Sequence, residues 1–425
     1  MGKLKERARQ LIKAFKGNDY IFGPDCLDKI GYLASFLGKR TLLITNLGQR
    51  SPEDLSLIVD SLNKQGIEVM GPVPSARPNA PREDVLRLAE AVRSSGVDNL
   101  IVVAGGSGID AAKAALVLAT LGGEVEHYFG VGKVTEEIAK TGKKLIPLMA
   151  VQTAAGSAAH LTKYSNITDL QTSQKKLIVD EAIIPPKALF DYRLTFSAPL
   201  ALTLDGAFDG LAHCLEVFYG ASSVNFKKIR EIVEVGIELL VANLPKVLAD
   251  QEDIKSREAI GLGTDLGGYA IMIGGTNGPH LNSFSLVDVL SHGRACAILI
   301  PYYTIFFFPA IQPQLKILSQ IFAKYGFIDA HASKLKGRAL AEAVAEAMWK
   351  MARKVTFPIS FQEVNGFEQA HIERALIAAK NPQLEMKLKN MPIPLSKEMI
   401  DNYMRPILEA AYRGDFSIIR TVKGH

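Results

Sequence analysis

The sequence predicts an α/β domain built on a parallel sheet, followed by an all-α domain, and three observations lead there. The chain has 425 residues, too many for one hydrophobic core and enough for two domains of ordinary size. Over roughly the first 190 residues, short runs of Val, Ile and Leu alternate with amphipathic segments of about a dozen residues, as in a parallel sheet covered on both faces. After Asp191 strand-like alternation almost vanishes and apolar residues recur at helical spacing.

The elements follow in order. In the N-terminal segment MGKLKERARQLIKAFKG, residues Leu4, Ala8, Leu11, Ile12 and Phe15 fall on one side of a helix. Docking onto the rest of the chain is the expected use of that face, with a membrane-surface helix as the competing reading. Strands are predicted at Arg40–Thr45, Gly66–Met70, Asn99–Ala104 and Leu145–Val151. Helices are expected from Pro52 to Gln65, from Arg82 to Ser95 and after Gly106. In the second half helical spacing covers Pro199–Tyr219, Phe226–Ala249, Glu258–Gly274, Val289–Phe306, Leu315–Tyr325, Ala341–Val355 and Lys397–Tyr412. The boundary falls near Phe190–Ser197, giving domains of residues 1–192 and 193–425. With no repeat and no low-complexity linker, the two are expected to pack closely around a small-molecule cleft.

Composition narrows the function. Apolar residues make up 48% and charged residues 22%, as in a soluble enzyme. Lys and Arg number 49 against 44 Asp and Glu, a net charge of +5. No basic block is interleaved with aromatics, so nucleic acid is not an expected partner. The three cysteines, Cys26, Cys214 and Cys296, are far apart and lack CxxC spacing. They indicate free thiols in a reducing compartment, and a cytoplasmic location is expected. The N-terminus lacks the apolar core of a signal peptide. The apolar stretch near Ile298–Ala310 contains Pro and Tyr and is too short to span a bilayer, so no membrane partner is expected.

Two loops carry cofactor chemistry. In IVVAGGSGIDAAKAALVLA, Gly105 and Gly106 stand between a strand and an Ala-rich helix, with Ser107 and Asp110 in the first turns. Small residues there let the backbone approach a pyrophosphate at a helix N-terminus, although a plain strand-to-helix turn has the same composition. It is not the GxGxxG fingerprint. Asn46 ends the first strand, where a carboxylate would bind the ribose and repel a 2′-phosphate. An uncharged Asn, with Arg50 and Arg77 nearby in sequence, would tolerate NADP, and a simple turn Asn is the other reading. TAAGSAAH offers the hydroxyls of Thr153 and Ser157 for phosphate or nicotinamide, or tight packing alone.

The strongest chemical pattern lies in the helical half. Asp209 and His213 are four residues apart in LTLDGAFDGLAHCLEVFYG, one turn apart on one helix face. His280 and His292 follow in NGPHLNSF and LSHGRACAI. Three imidazoles and a carboxylate make an N₃O set for Fe²⁺ or Zn²⁺. Each residue also has a plain reading: a surface acid–His pair, turn polarity at His280, a helix cap at His292. His127, His331, His371 and His425 lack such spacing and read as structural.

Taken in order, these segments resemble the iron-containing (group III) alcohol dehydrogenase family, from about Tyr20 to about Tyr412. YIFGPDCLDKIG resembles its opening strand and turn. AGGSGID resembles its GGGS-x-x-D loop, with Ala104 replacing the first Gly. TAAGSAAH resembles TTAGTGSE more weakly. DGAFDGLAHCLE, HGRACAILIP and MPIPLSKEMIDNYMRPILEAAY match the remaining blocks. The resemblance implies a dehydroquinate-synthase-like fold, with a Rossmann-like dinucleotide-binding domain binding NAD or NADP and a helical domain holding iron, or alternatively zinc, in the cleft. It implies Asp209, His213, His280 and His292 as metal ligands and Gly105, Gly106 and Ser107 as the pyrophosphate loop. Thr153 and Ser157 fall on the second cofactor loop. It further implies a homodimer or larger homo-oligomer, and reversible hydride transfer between the nicotinamide and a small primary alcohol or aldehyde.

Two departures bear on catalysis. The position four residues after His280, usually a second His near the nicotinamide, is Phe284, and the interval to His292 is two residues shorter than usual. His160 stands where the family has a Glu, which makes it the first substitute proton carrier to consider. The rival readings are a phosphate-eliminating cyclase on the same fold and a nucleotide-binding protein without turnover.

Overall fold

The computed structural model describes residues 1–422, apart from the side chains of Ala330 and Ser333. His425 therefore lies outside the described residues. The chain divides into two compact units, Arg9–Thr203 and Met1–Ala8 together with Leu204 onward.

In the first unit the strands are β1 (Tyr20–Gly23), β2 (Arg40–Thr45), β3 (Glu68–Val73), β4 (Asn99–Ala104), β5 (Gly130–Val131), β6 (Leu148–Gln152), β7 (Tyr164–Asp169), β8 (Gln174–Val179) and β9 (Lys187–Asp191). Six of them form a parallel sheet in the order β1-β9-β6-β4-β2-β3. Successive side chains on a strand point to opposite faces, so a sheet covered on both sides needs apolar residues at every position. On one face Leu42, Ile44, Leu100, Val102 and Ala150 pack with residues of α4 (Arg82–Ser95) and α5 (Gly106–Leu121). On the other, Leu43, Ile101, Val103, Met149 and Val151 pack with Leu33 of α2 (Ile30–Ala34) and Ile58 and Leu62 of α3 (Pro52–Lys64). The pairs Thr45–Val103 and Ala104–Gln152 end their strands side by side. The loops that follow β2, β4 and β6 consequently emerge together at the carboxyl edge, where such sheets bind ligands.

The second sheet was not expected. It has the order β5-β8-β7, with β7 and β8 antiparallel. Its β7, YSNITD, is too polar to read as a buried strand. It is fixed to α5 by side chains: Ser165 Oγ donates to the Asp110 carbonyl at 2.7 Å, and Asn166 donates to the Asp110 carboxylate from its backbone and side chain, both at 3.1 Å. One turn on, Lys113 is fully buried, and its Nζ donates to the carbonyls of Ala159, Thr162 and Tyr164 at 2.6, 2.7 and 2.9 Å. Burial, partly opposed by Asp110, pulls its pKa down to about 7.

The first unit also holds α6 (Lys133–Thr141), and the second contains α7 (Leu200–Tyr219) from Leu204 onward, then α8 (Phe226–Ala249), α9 (Ile254–Ile273), α10 (Gly278–Ser283), α11 (His292–Phe307), α12 (Gln312–Lys324), α13 (Gly337–Lys354), α14 (Gln369–Ala379), α15 (Glu385–Lys389) and α16 (Arg405–Arg413). The predicted long helices are present with ends shifted by a few residues. Helix α10, six residues long, is too short to show a period. The predicted helix over Lys397–Tyr412 is three pieces, a 3₁₀ turn, a π-helical turn at Ile400–Met404 and α16. The N-terminal helix α1 (Gly2–Lys16) buries Ala8, Leu11 and Ile12, which settles its amphipathic face as one docked on the protein. Lys5 donates to the Lys255 carbonyl at 2.6 Å and to Glu258 at 2.7 Å. Among the described residues no helix is long and apolar enough to cross a membrane.

Replacing Lys113 by Met would leave three buried carbonyls without their donor, each a penalty of about 1–3 kcal/mol. Lys113→Met is expected to lower the unfolding free energy by roughly 3 kcal/mol. Chemical denaturation of both proteins checks this, and equal midpoints would show that the ammonium is not what ties the loop to α5.

Candidate metal centre and cofactor pocket

Helix α7 places Asp209, His213 and Glu216 at intervals of four and three residues, one stripe of its surface. All three are buried, at 5%, 4% and 0% exposure. His280 enters from α10, which starts at Asn277: the Asn277 side chain accepts from the Gly278 N–H at 2.7 Å, and Pro279 occupies the first turn. His292 is the first residue of α11. The next residue must be glycine, because a Cβ at Gly293 would lie 2.2 Å from the Asp205 carbonyl and 2.9 Å from Asp209 Cβ. That close approach brings α11 onto α7 at the level of the carboxylate.

The three imidazoles converge on one oxygen. The Nε2 atoms of His280, His292 and His213 lie 3.6, 3.9 and 4.0 Å from Asp209 Oδ1. These separations exceed hydrogen-bond length, and Asp209 Oδ1 and His280 Nε2 have no hydrogen-bond partner among the described residues. Donors around one tetrahedral ion with bonds of about 2.1 Å sit about 3.4 Å apart, so the spacing suits a cation slightly better than it suits protein contacts. A second set of bonds aims the rings. Glu216 Oε1 accepts from His280 Nδ1 at 2.5 Å while its Oε2 accepts from the Asn277 N–H at 2.7 Å. Ser283 Oγ donates to the His280 carbonyl at 2.8 Å and lies 3.0 Å from His292 Nδ1, from which it can accept. With both Nδ1 atoms protonated, both Nε2 lone pairs face Asp209.

Electrostatics agree with a cation site. Burial favours the neutral form of Asp209, yet His213, His280 and His292 outweigh it and hold the carboxyl well below its usual range. Burial, opposed by Asp209, lowers His213 to about 4. For His280 burial again opposes the charge, but Cys296 and Glu216 raise its proton affinity well above the ordinary value.

Glu216, Ser283 and Cys296 were not among the predicted site residues. The sequence signal for Glu216 was present, seven residues after Asp209 on the same stripe. The donor atoms of Asp209, His280, His292 and Cys296 all lie within 4.8 Å of one another. His213 stands beside this group, stacked on His280 with ring centroids 4.7 Å apart. Phe284 is buried, its ring centroid 5.6 Å from that of His292, and the ammonium of Lys387 lies 5.0 Å from it on another side. Lys387 also donates to Thr276 Oγ1.

In the first unit a cavity of about 360 Å³ opens at the carboxyl edge of the sheet. Asn46, Gly105, Gly106, Ser107 and Thr153 line it, with Arg50 and Arg77. Asn46 Oδ1 accepts from the Ser75 N–H at 3.1 Å, and Ser107 Oγ from the Asn79 N–H at 3.0 Å. Gly106 admits no side chain, since a Cβ there would lie 2.3 Å from Ser157 Oγ. Backbone is thus what faces the cavity at the start of α5, as an anion site requires.

Three of the expected residues make other contacts in this structure. Asp110, expected at the cofactor, is buried against β7 and spends its carboxylate on Asn166. Ser157 is not among the residues lining the cavity and instead abuts Gly106, accepting from the Ala159 N–H at 3.3 Å. His160, expected as a proton carrier, is a core histidine: it has no exposed surface, its Nε2 lies 3.0 Å from the Tyr20 hydroxyl, and its ring packs against Tyr20 and Phe190. Burial holds its pKa well below the ordinary value, so the ring is neutral.

Comparison with known proteins agrees with this layout. The profile described as iron-containing alcohol dehydrogenase matches residues 17–192, and that of the C-terminal part of the Fe-containing alcohol dehydrogenase family matches residues 203–408. The NAD-dependent methanol dehydrogenase of Bacillus methanolicus is 26% identical over 364 residues, 85% of this chain and 90% of that protein. The 1,3-propanediol dehydrogenase of Citrobacter freundii is 28% identical over 67% of this chain and 72% of its own. The solved alcohol dehydrogenase from Oenococcus oeni shares the fold, with a TM-score of 0.79 and 23% identity over 92% of this chain and 98% of that one.

The Glu216 carboxylate holds His280 and the Asn277 N–H, so its loss should loosen metal without unfolding α7. Glu216→Gln is expected to weaken metal affinity on the order of 10–100-fold. Competition with a chromophoric chelator measures this, and unchanged affinity would remove Glu216 from the design of the site.

Proposed function

The chain belongs to the iron-containing alcohol dehydrogenase family, and from that premise we propose that Asp209, His213, His280 and His292 hold the metal of an NAD(P)-dependent oxidoreductase acting on a small primary alcohol or aldehyde. The observation that carries the reading is the convergence of three imidazole Nε2 atoms, at 3.6–4.0 Å, on one buried carboxylate oxygen.

When bound, Fe²⁺ or Zn²⁺ supplies Lewis acidity that stabilises an alkoxide in one direction and polarises an aldehyde carbonyl in the other. The protein's share is the donor set and its surroundings. Glu216 and Ser283 hold His280 and His292 in the tautomers that donate through Nε2. Gly105, Gly106 and Ser107 receive the pyrophosphate at the start of α5, and Thr153 adds a hydroxyl on the next loop. A nicotinamide dinucleotide held by these loops would supply the two-electron hydride acceptor or donor for the alcohol and aldehyde pair. Phe284 has no group to carry the hydroxyl proton and His160 is buried, so neither side chain is assigned the proton transfer.

The printed names of the two relatives, methanol and 1,3-propanediol dehydrogenases, support a small primary alcohol as substrate. Three buried free cysteines fit a cytoplasmic enzyme, and a homodimer is the smallest assembly we assign.

Two experiments test this. His280→Ala is expected to lose bound metal and turnover together, and stripping the wild type with a chelator should abolish NAD(P)H-linked aldehyde reduction until Fe²⁺ or Zn²⁺ is restored. Full activity in protein shown to be metal-free would defeat the proposal. Asn46→Asp keeps the acceptor for the Ser75 N–H but places a charge where a 2′-phosphate would sit. Its kcat/KM for NADPH relative to NADH is expected to fall roughly tenfold, about 1.4 kcal/mol. An unchanged ratio would place the ribose elsewhere.

A further inference from the structure

The donor set contains a sulfur that the N₃O reading leaves out. Cys296 lies four residues after His292 on α11, one turn along the same face. It is fully buried, and its Sγ is within 4.8 Å of the donor atoms of Asp209, His280 and His292. Two of those atoms, Asp209 Oδ1 and His280 Nε2, belong to side chains at least nine-tenths buried and have no hydrogen-bond partner among the described residues. The other buried cysteine of this region, Cys214, faces elsewhere: a Cβ at Gly236 on α8 would lie 2.9 Å from its Sγ.

We propose that Cys296 is a thiolate ligand of the metal, which gives this centre a mixed sulfur, nitrogen and oxygen donor set. The inference rests on the proposed metal centre and adds a ligand to it. Coordination replaces the S–H bond by a metal–sulfur bond and releases the proton to solvent, with no change of oxidation state. A soft thiolate beside imidazoles favours zinc and cobalt over a harder ferrous ion. The consequence is a site biased towards Zn²⁺.

The test uses full-length protein stripped of metal and loaded with Co²⁺, as wild type, Cys296→Ser, Cys296→Ala and the control Cys214→Ala. Thiolate ligation predicts an intense near-ultraviolet sulfur-to-cobalt charge-transfer band in wild type and Cys214→Ala. The band should be lost in both Cys296 variants while cobalt still binds. In the zinc-loaded wild type, X-ray absorption should show a sulfur neighbour at about 2.3 Å, and this measurement needs no variant to fold. Cobalt bound without the band, together with zinc seeing only nitrogen and oxygen, would overturn the thiolate and leave the four-residue centre standing. Failure of the wild type to bind cobalt or zinc at all would overturn both.

Discussion

A buried negative charge organises the helical unit. Asp209 is almost wholly removed from solvent, and its Oδ1 faces three imidazole nitrogens at 3.6–4.0 Å with no hydrogen bond among the described residues. An uncompensated carboxylate in such a place costs several kcal/mol, so its surroundings must supply positive charge. Around it stand three imidazoles, and two of them have Nδ1 already committed, that of His280 to Glu216 and that of His292 to Ser283. The ring orientations, the short helix α10 with its Asn277 cap, and the glycine at 293 that lets α11 touch α7 all serve that one oxygen.

The same logic of committed partners separates the working residues of the α/β unit from its scaffolding. Polar side chains whose hydrogen bonds are spent inside the fold, such as Asp110 on Asn166 and Lys113 on three carbonyls, stiffen α5 and the loop after β6. What remains facing the cavity is the glycine turn, small hydroxyls, apolar side chains and the two arginines Arg50 and Arg77, and the start of α5 is the part suited to a phosphate. His160 illustrates the division. Its place in the sequence suggests chemistry, while its place among Tyr20 and Phe190 makes it part of an aromatic core.

Much of this was legible in the sequence, for identifiable reasons. Strands β2, β4 and β6 are continuous apolar runs because both faces are buried, and such runs stand out without knowledge of their partners. Asp209 and His213 announce themselves because a helix turns a spacing of four into proximity. His280 and His292 carry no such local sign, since they come together only through the packing of α10 and α11 on α7, and it was the resemblance that joined them. Polar β7 and β8 escaped notice because their stability comes from pairing and from Asp110, not from an apolar pattern. Cys296 escaped because a lone cysteine has no spacing partner except His292, four residues earlier. Whether a side chain such as that of Asp110 or Ser157 faces a cavity or a neighbour is decided by tertiary contacts that sequence position does not encode.

An ion at Asp209 is what the roles of the three histidines, Glu216 and Ser283 all require. Anomalous diffraction at the iron and zinc absorption edges, from crystals of protein loaded with each metal, tests this most directly. The predicted result is a single strong peak about 2.0–2.2 Å from Asp209 Oδ1 and from imidazole Nε2 atoms of the three histidines. A peak at some other cluster, or an active protein whose density shows Asp209 simply hydrogen-bonded to protonated histidines, would contradict it.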